Sequence, residues 1–364
     1  MKGSVLVAMS GGVDSSVAAV TLQQMGYQVI GITMKLWDMP ADSPAPLKGC
    51  CSQEDSYNAA SVASKFGFPH YTLNLEAYFK REIIDNFISE YRAGRTPNPC
   101  VKCNASMKWG ALWRKKEELG LDYIATGHYA RIVNENDEPA LLKAVDSSKD
   151  QSYALWAVPY ERLADTLLPD GDFTKREIRR KAVEFGLSNA QRQESQEICF
   201  IPDNDYPGFL LKNGIRLEPG EIVDIDGIAV GEHHGYQHYT IGQRKGLGGG
   251  FKHPMYVFEI DPAQNRIYIG PKESIIYKRI EVSGMNWLTN DIPKSEFTAE
   301  VKIRYRDIGR KALVYPMKDD RCSIYFPGGA EAPAPGQSAV IYFGDRVIGG
   351  GIIDRAGEWM MEGK

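Results

Sequence analysis

Apolar positions in the first two hundred residues alternate between short unbroken runs and runs at helical spacing. "SVLVAM" (4–9) is a run of the kind that fills a strand buried on both faces. "VDSSVAAVTLQQMGY" (13–27) follows with helical periodicity and reaches Gly26, a plausible cap. "QVIGITM" (28–34) predicts a second strand, "SYNAASVASKFGF" (56–68) a helix, "HYTLNL" (70–75) a third strand and "YFKREIIDNFISEYRAG" (78–94) an amphipathic helix. A Pro-rich cysteine turn then leads to a helix over "SMKWGALWRKKEELG" (106–120) and one strand over "DYIATGHYARIV" (122–133). This alternation predicts an α/β domain built on an open parallel sheet with helices on both faces.

After about residue 205 the helical period stops. Glycine and strand formers dominate "PGEIVDIDGIAVGEHHGYQHYTIGQRKGLGGG" (219–250). From about residue 275, alternating runs such as "TAEVKIRY", "KALVYPM", "RCSIYF" and "SAVIYF" are divided by Gly, Pro and Asp, as in a small β-barrel or sandwich. The expected division is a catalytic α/β domain over 1–205, a small mainly-β central domain over 206–275 and a C-terminal β-barrel over 276–364.

Charge and composition narrow the picture only a little. The 364-residue chain has a formal net charge of −4, which neither suggests nor excludes a nucleic-acid partner. Basic clusters at 175–181 ("KREIRRK"), 242–246 ("GQRKG") and 302–311 ("KIRYRDIGRK") read singly as solvated faces. No apolar run reaches the roughly 18 residues of a membrane helix, and the N-terminal segment lacks the form of a signal peptide. A cytoplasmic protein without a membrane partner is expected. Six cysteines in a chain of this size argue against a disulfide framework.

"SGGVDSS" (Ser10–Ser16) stands between the first strand and the first helix. Gly11 and Gly12 let backbone N–H groups approach an anion at a helix N-terminus, and Ser10, Ser15 and Ser16 add hydroxyls. Asp14 is placed to hold Mg²⁺ or to orient the loop. The lysine of a Walker A loop is missing, and the spacing is not that of a Rossmann loop. The stretch is instead similar to the pyrophosphate loop of ATP-pyrophosphatase-type enzymes, which cleave ATP between the α and β phosphates. Ala8, Met9, Ser10, Gly11, Gly12, Val13, Asp14, Ser15 and Ser16 are the expected ATP-binding residues. Met34 and Gly127, at the carboxyl edge of the sheet, complete the set for adenine and ribose.

Cys100 and Cys103 form a Cys-x-x-Cys whose zinc reading needs two more ligands. His233, His234 and His238 have workable spacing but lie in a distant β segment. A thioredoxin-like reading leaves the phosphate loop idle. Cys103, expected at or just before a helix N-terminus with Lys102 and Lys108 nearby, suits a nucleophile, and Cys199 in "ESQEICFIPD" is a second candidate thiol. Cys50, Cys51 and Cys322 read as ordinary buried thiols.

Taken in order along nearly the whole chain, "MSGGVDSS", "AGRTPNPCVKCN", "DYIATGHYAR", "DSSKDQSYAL", "ESQEICFIPD", "GEHHGYQHYTIGQRKGLG", "KIRYR" and "PGQSAVIYF" closely resemble the bacterial-type tRNA-specific 2-thiouridylases. The resemblance implies a sulfurtransferase that converts the wobble uridine of certain tRNAs, those for Lys, Glu and Gln, to 2-thiouridine. It would use ATP, Mg²⁺ and a persulfide donor, either a cysteine desulfurase or a sulfur-relay protein. It implies that Cys199 carries the persulfide sulfur, that Cys103 is the nucleophile, and that the two end each cycle as a transient disulfide. It puts the target base near Asn98, Pro99 and Cys100, and tRNA contacts at His128, Lys149, Asp150, Gln151, Arg304, Tyr305 and Gln337. Cys100 departs from members that carry Asp there, leaving it as a helper or a ligand. Cys100, Cys103 and Cys199 would then be three thiolates able to hold a [4Fe–4S] cluster, a rival route to the same product. Another adenylating enzyme on the same loop, or a tRNA-binding protein without activity, are the remaining alternatives.

Overall fold

The computed structural model describes residues 2–37, 53–135, 137–192, 198–201 and 204–357. In chain order the elements begin β1 (Ser4–Ala8), α1 (Val13–Gln24), β2 (Gln28–Lys35), α2 (Gln53–Phe66), β3 (His70–Asn74), α3 (Glu76–Phe79), α4 (Asp85–Arg92), α5 (Pro99–Cys103) and α6 (Trp113–Glu118). Lys80–Ile84 and Asn104–Leu112 are π-helical. There follow β4 (Tyr123–Thr126), β5 (Ala130–Glu135), β6 (Glu138–Lys143), β7 (Thr166–Leu167), α7 (Lys175–Glu184) and α8 (Tyr206–Lys212). The remainder is β8 (Gly220–Asp224), β9 (Ala229–His233), β10 (Tyr256–Asp261), β11 (Arg266–Gly270), β12 (Ile276–Trp287), β13 (Phe297–Lys302), β14 (Arg310–Pro316), β15 (Cys322–Glu331), β16 (Ser338–Phe343) and β17 (Arg346–Gly357). The chain forms two compact units: Met1–Ile84 with Pro99–Asn204 and Asp345–Val347, and Asp85–Asn98 with Asp205–Gly344 and Ile348–Lys364.

The first unit is the expected α/β fold. Its sheet has the order β3-β2-β1-β4-β7, all parallel. Val5, Leu6 and Val7 are fully buried, which accounts for the unbroken apolar run of β1. Each such side chain contributes about 1.5–3 kcal/mol of burial. The strand order reverses between β1 and β4, and Ala8 pairs with Ile32 on one side and Thr126 on the other. The loops after β1 and β4 therefore leave the same sheet edge side by side, the position where open α/β sheets bind ligands.

The single strand expected over 122–133 is broken. β4 stops at Thr126, Gly127 and His128 turn the chain, and β5 pairs antiparallel with β6. The turn of that hairpin includes Asp137 at φ +65°, a conformation Asp tolerates. The helix expected from 106 begins at Pro99, because proline suits the first helical turn.

In the second unit, β10-β11-β8-β9 form a four-stranded sheet around Ile222, Val257, Ile267 and Ile269. Helix α8 had no legible period because Pro207 and Gly208 lie within it. The Asp205 carboxylate caps it by accepting from Gly208 N at 3.0 Å. Strands β12, β15, β14, β13, β16 and β17 follow in that order, and β17 pairs back to β12, closing a six-stranded barrel. Register shifts along the β12–β17 pairing bend these long strands. Cys322 lies inside the barrel core, where burial pushes its thiol up to about 12.

Candidate active site

The phosphate loop is shaped by backbone requirements before any ligand is considered. Gly11 has φ +70°, and a Cβ there would lie 2.2 Å from the carbonyl oxygen of Asp55. Gly12 is the N-cap of α1 without a side-chain cap bond, so amides of the first turn are left for an anion. The serine hydroxyls expected as phosphate donors are engaged within the loop. Ser15 Oγ accepts from Ser10 N at 3.1 Å and lies 3.3 Å from Ser10 Oγ, while Ser16 Oγ donates to Gly12 O at 2.8 Å. Asn189, 178 positions away, donates from Nδ2 to Gly11 O at 2.9 Å and to Ser16 Oγ at 3.1 Å. On its other side, Asp55 pairs with Arg192 at 2.5 Å.

Asp14 sits in the first turn of α1. Its carboxylate accepts from Lys175 Nζ at 2.7 and 2.9 Å and from the Tyr129 hydroxyl at 2.7 Å. Lys175 is the first residue of α7, whose start is fixed by a capping box of Thr174 and Glu177. Beside this pair lies Asp170, 1% exposed, with neither carboxylate oxygen bonded among the described residues. Burial first, and the Asp14 charge second, push the Asp170 carboxyl well above the usual range, against the opposing pull of Lys175 and Lys181. Gly127 brings β4 against the loop: a Cβ there would be 2.6 Å from Ser15 N. Met34 is in β2, opposite Leu73 of β3, and half-buried.

The cysteine helix is continuous from α5 through the π-helical turn into α6. Cys103 is therefore not at a helix N-terminus, since Pro99 begins the helix and Cys100 is nearer that end. Cys100 is exposed; Cys103 and Cys199 are half-buried. The π turn following Cys103 widens the helix, a feature frequent at functional sites. Lys108 in that turn donates to Asn104 Oδ1 at 2.9 Å and reaches His128 Nε2 at 3.0 Å. An ammonium only donates, so His128 Nε2 accepts and Nδ1–H donates to Thr126 Oγ1 at 2.6 Å. Burial foremost, and Lys108 second, hold His128 well below the usual imidazole range. The Cys199 segment rests on the same helical layer: Phe200 packs edge-on against Phe79 at 5.8 Å, and the π turn after α3 packs on α5.

Among the described residues no group of three or more His, Cys, Asp or Glu side chains is gathered to hold a metal ion. The zinc alternative fails at His233, whose ring is buried with Nδ1 accepting from Gly235 N and Nε2 bonded to Asn265 O. Cys50 and Cys51 lie outside the described residues.

Other expected contact residues have structural partners. Asp150 accepts from Ala144 N and from the backbone and hydroxyl of Ser152, Gln151 accepts from Tyr129 N, and Lys149 beside them is half-buried. In the second unit Arg304 and Tyr305 are exposed on the turn between β13 and β14, which Asp307 and Arg310 clamp at 2.7 and 2.8 Å. Gln337 donates to Thr96 O at 2.9 Å and Pro97 O at 3.2 Å, holding the segment that leads to Asn98. Sequence reading passed over Tyr129, Asp170, Lys175 and Asn189 as site residues; the signals at hand were the place of Tyr129 in "DYIATGHYAR" and of Lys175 in a basic helix. Among the described residues no helix is long and apolar enough to cross a membrane.

An open parallel sheet whose first strand enters a glycine loop and an uncapped helix end defines a phosphate-loop α/β protein. Residues 3–203 match the "tRNA methyl transferase HUP domain" model, 208–271 the "tRNA methyl transferase PRC-barrel domain" and 277–353 the "Aminomethyltransferase beta-barrel domain". The chain is 46% identical over 361 residues to the tRNA-specific 2-thiouridylase MnmA of Heliobacterium modesticaldum, covering 98% of this chain and 93% of that one. It is 47% identical over 359 residues to that of Amoebophilus asiaticus, covering 97% and 95%. A solved 4-thiouridine synthetase–RNA complex with bound ATP is 18% identical with a TM-score of 0.37, over 58% of this chain and 49% of that one. The chain belongs to the tRNA-specific 2-thiouridylase family, a family of sulfurtransferases.

Proposed function

We propose that the protein binds ATP at the phosphate loop and thiolates the wobble uridine of tRNA, giving 2-thiouridine, AMP and pyrophosphate. The observation that carries this reading is a glycine loop with an uncapped helix end, in the same unit as two half-buried cysteines. The uridine O2 attacks the α phosphate and pyrophosphate leaves. The terminal sulfur of a Cys199 persulfide attacks C2 of the adenylated base, and AMP leaves with O2. The Cys103 thiolate then attacks the Cys199 sulfur, freeing the thiolated base and leaving a Cys103–Cys199 disulfide for a thiol reductant. Mg²⁺ arriving with the nucleotide supplies further neutralisation of phosphate charge, and Asp14 is the acidic group suited to it. Asn98, Pro99 and Cys100 face the flipped base, and basic side chains such as Arg304 hold phosphates, making binding salt-dependent.

Nucleoside analysis of unmodified tRNA after incubation with ATP, Mg²⁺ and a persulfide donor tests this. Metal-free wild type and Cys100→Ser are expected to form 2-thiouridine; Cys103→Ser and Cys199→Ser are not. Product from wild type only after an iron–sulfur cluster is reconstituted, dependent on Cys100, would overturn the persulfide route.

A further inference from the structure

The loop from Ser10 to Ser16 contains a carboxylate and no cation. The helix N-terminus supplies only roughly half a positive charge, against the several negative charges of a triphosphate. Amides and hydroxyls offset little of the remainder, Asp14 adds to it, and a triphosphate carrying one Mg²⁺ is still an anion. A cation is nevertheless present at the loop. Lys175 is carried in by the first turn of α7, its side chain 11% exposed and its ammonium on both oxygens of Asp14.

A second observation separates this pair from an ordinary structural ion bridge. Asp170 is buried beside it, and neither of its oxygens has a partner among the described residues. Leaving a buried carboxyl unbonded is costly, and a stability device has no use for it. An ammonium has three donors, so one lysine can serve a buried carboxyl and a phosphate together. Asp170 is then a second seat for Lys175, empty while Asp14 holds the ammonium.

We propose that Lys175 is the cation of this phosphate loop, passing from Asp14 to a position between Asp170 and the terminal phosphates of a bound nucleoside triphosphate. The move frees the Asp14 carboxylate and satisfies Asp170. It also makes Lys175 responsive to the β and γ phosphates and indifferent to a nucleoside monophosphate. The inference rests on the nucleotide-binding reading above.

Titration calorimetry on the full chain, with ATP, AMP and inorganic pyrophosphate as probes, tests it. Lys175→Met is expected to weaken ATP and pyrophosphate by about tenfold or more while AMP stays within about twofold. Lys175→Arg should recover part of the loss. Asp170→Asn, which keeps one acceptor but no charge, should show a smaller loss with the same preference. Equal weakening of ATP and AMP in Lys175→Met and Lys175→Arg would make the lysine a prop for the loop and overturn the inference. So would ATP affinity unchanged in both. Failure of wild type to bind ATP would instead overturn the nucleotide-binding reading on which the inference stands.

Discussion

Two glycines with positive φ allow the contact that shapes the phosphate loop to be measured. Gly11 and Gly26 lie at φ +70° and +94°, so an alanine at either carries left-handed strain of about 1–2 kcal/mol. Gly26 has nothing within 4 Å of the added Cβ, and there the cost ends. At Gly11 the Cβ would meet the backbone of Asp55, with O at 2.2 Å and C and Cα at 2.7 Å. That backbone cannot swing aside as a side chain would, since it belongs to α2 and its carboxylate is held by Arg192. Overpacking of this kind adds about 1–3 kcal/mol. Relaxation will push the loop away from α2 and spoil the amide array. Gly11→Ala is therefore expected to weaken ATP binding by about tenfold or more, while Gly26→Ala lowers stability and leaves ATP affinity unchanged. Calorimetric titration with ATP, beside thermal unfolding of both variants, decides the matter. Equal ATP affinities and equal melting temperatures would refute the idea that close packing on Asp55 sets the loop.

Further outcomes follow from the same contacts. Asp14→Ala should abolish AMP formation while tRNA affinity, measured by filter binding, stays within about twofold; phosphate charge governs the latter. Asn189→Ala removes the donor to Gly11 O and Ser16 Oγ, a loss of about 1–3 kcal/mol, and should weaken ATP binding with the circular dichroism spectrum unchanged. His128 is held neutral by burial and Lys108, so the unfolded chain takes up a proton near 6.5 that the folded chain refuses. Stability should therefore fall as pH drops below that value, by at most about 1.4 kcal/mol per pH unit for this group. Urea midpoints at successive pH values should show a shallower acid slope for His128→Gln, and an unchanged slope would remove His128 as the source.

Strand positions in the α/β unit were legible because burial on both faces leaves a run such as Val5–Val7 with no polar position, whereas α1 is buried almost all round, from Ser15 through Val20, and shows little helical stripe. Where the reading slipped, local chemistry overrode the pattern. The expected strand 122–133 contains Gly127, which periodicity treats as neutral; the close approach to Ser15 leaves no room for a Cβ there, and the strand ends just before it. Helix α8 was hidden by Pro207 and Gly208, although Asp205 had the right residue type for its cap. The helix bearing Cys103 was expected to begin later than it does. The observed start at Pro99 changes the chemistry inferred for the thiol: helix-dipole assistance fades beyond the first turn, and Cys103 lies past it.

The candidate site divides along the same physical line. Ser10–Ser16 announces itself because a phosphate loop is local: glycines, helix start and hydroxyls must be consecutive. The residues that give the loop its charge balance and rigidity are under no such constraint. Tyr129, Lys175 and Asn189 reach it from 115, 161 and 178 positions away. Their sequence neighbourhoods answer to other demands, the turn between β4 and β5 for Tyr129 and a capped basic helix for Lys175. Arg176, Arg179 and Arg180 of that helix are exposed, as a solvated basic face requires, while Lys175 turns inward. One residue at the helix start thus serves the phosphate loop while its neighbours serve the surface. No property of the run "KREIRRK" distinguishes them; the distinction comes from the capping box at Thr174, which fixes where α7 begins and hence where Lys175 can reach.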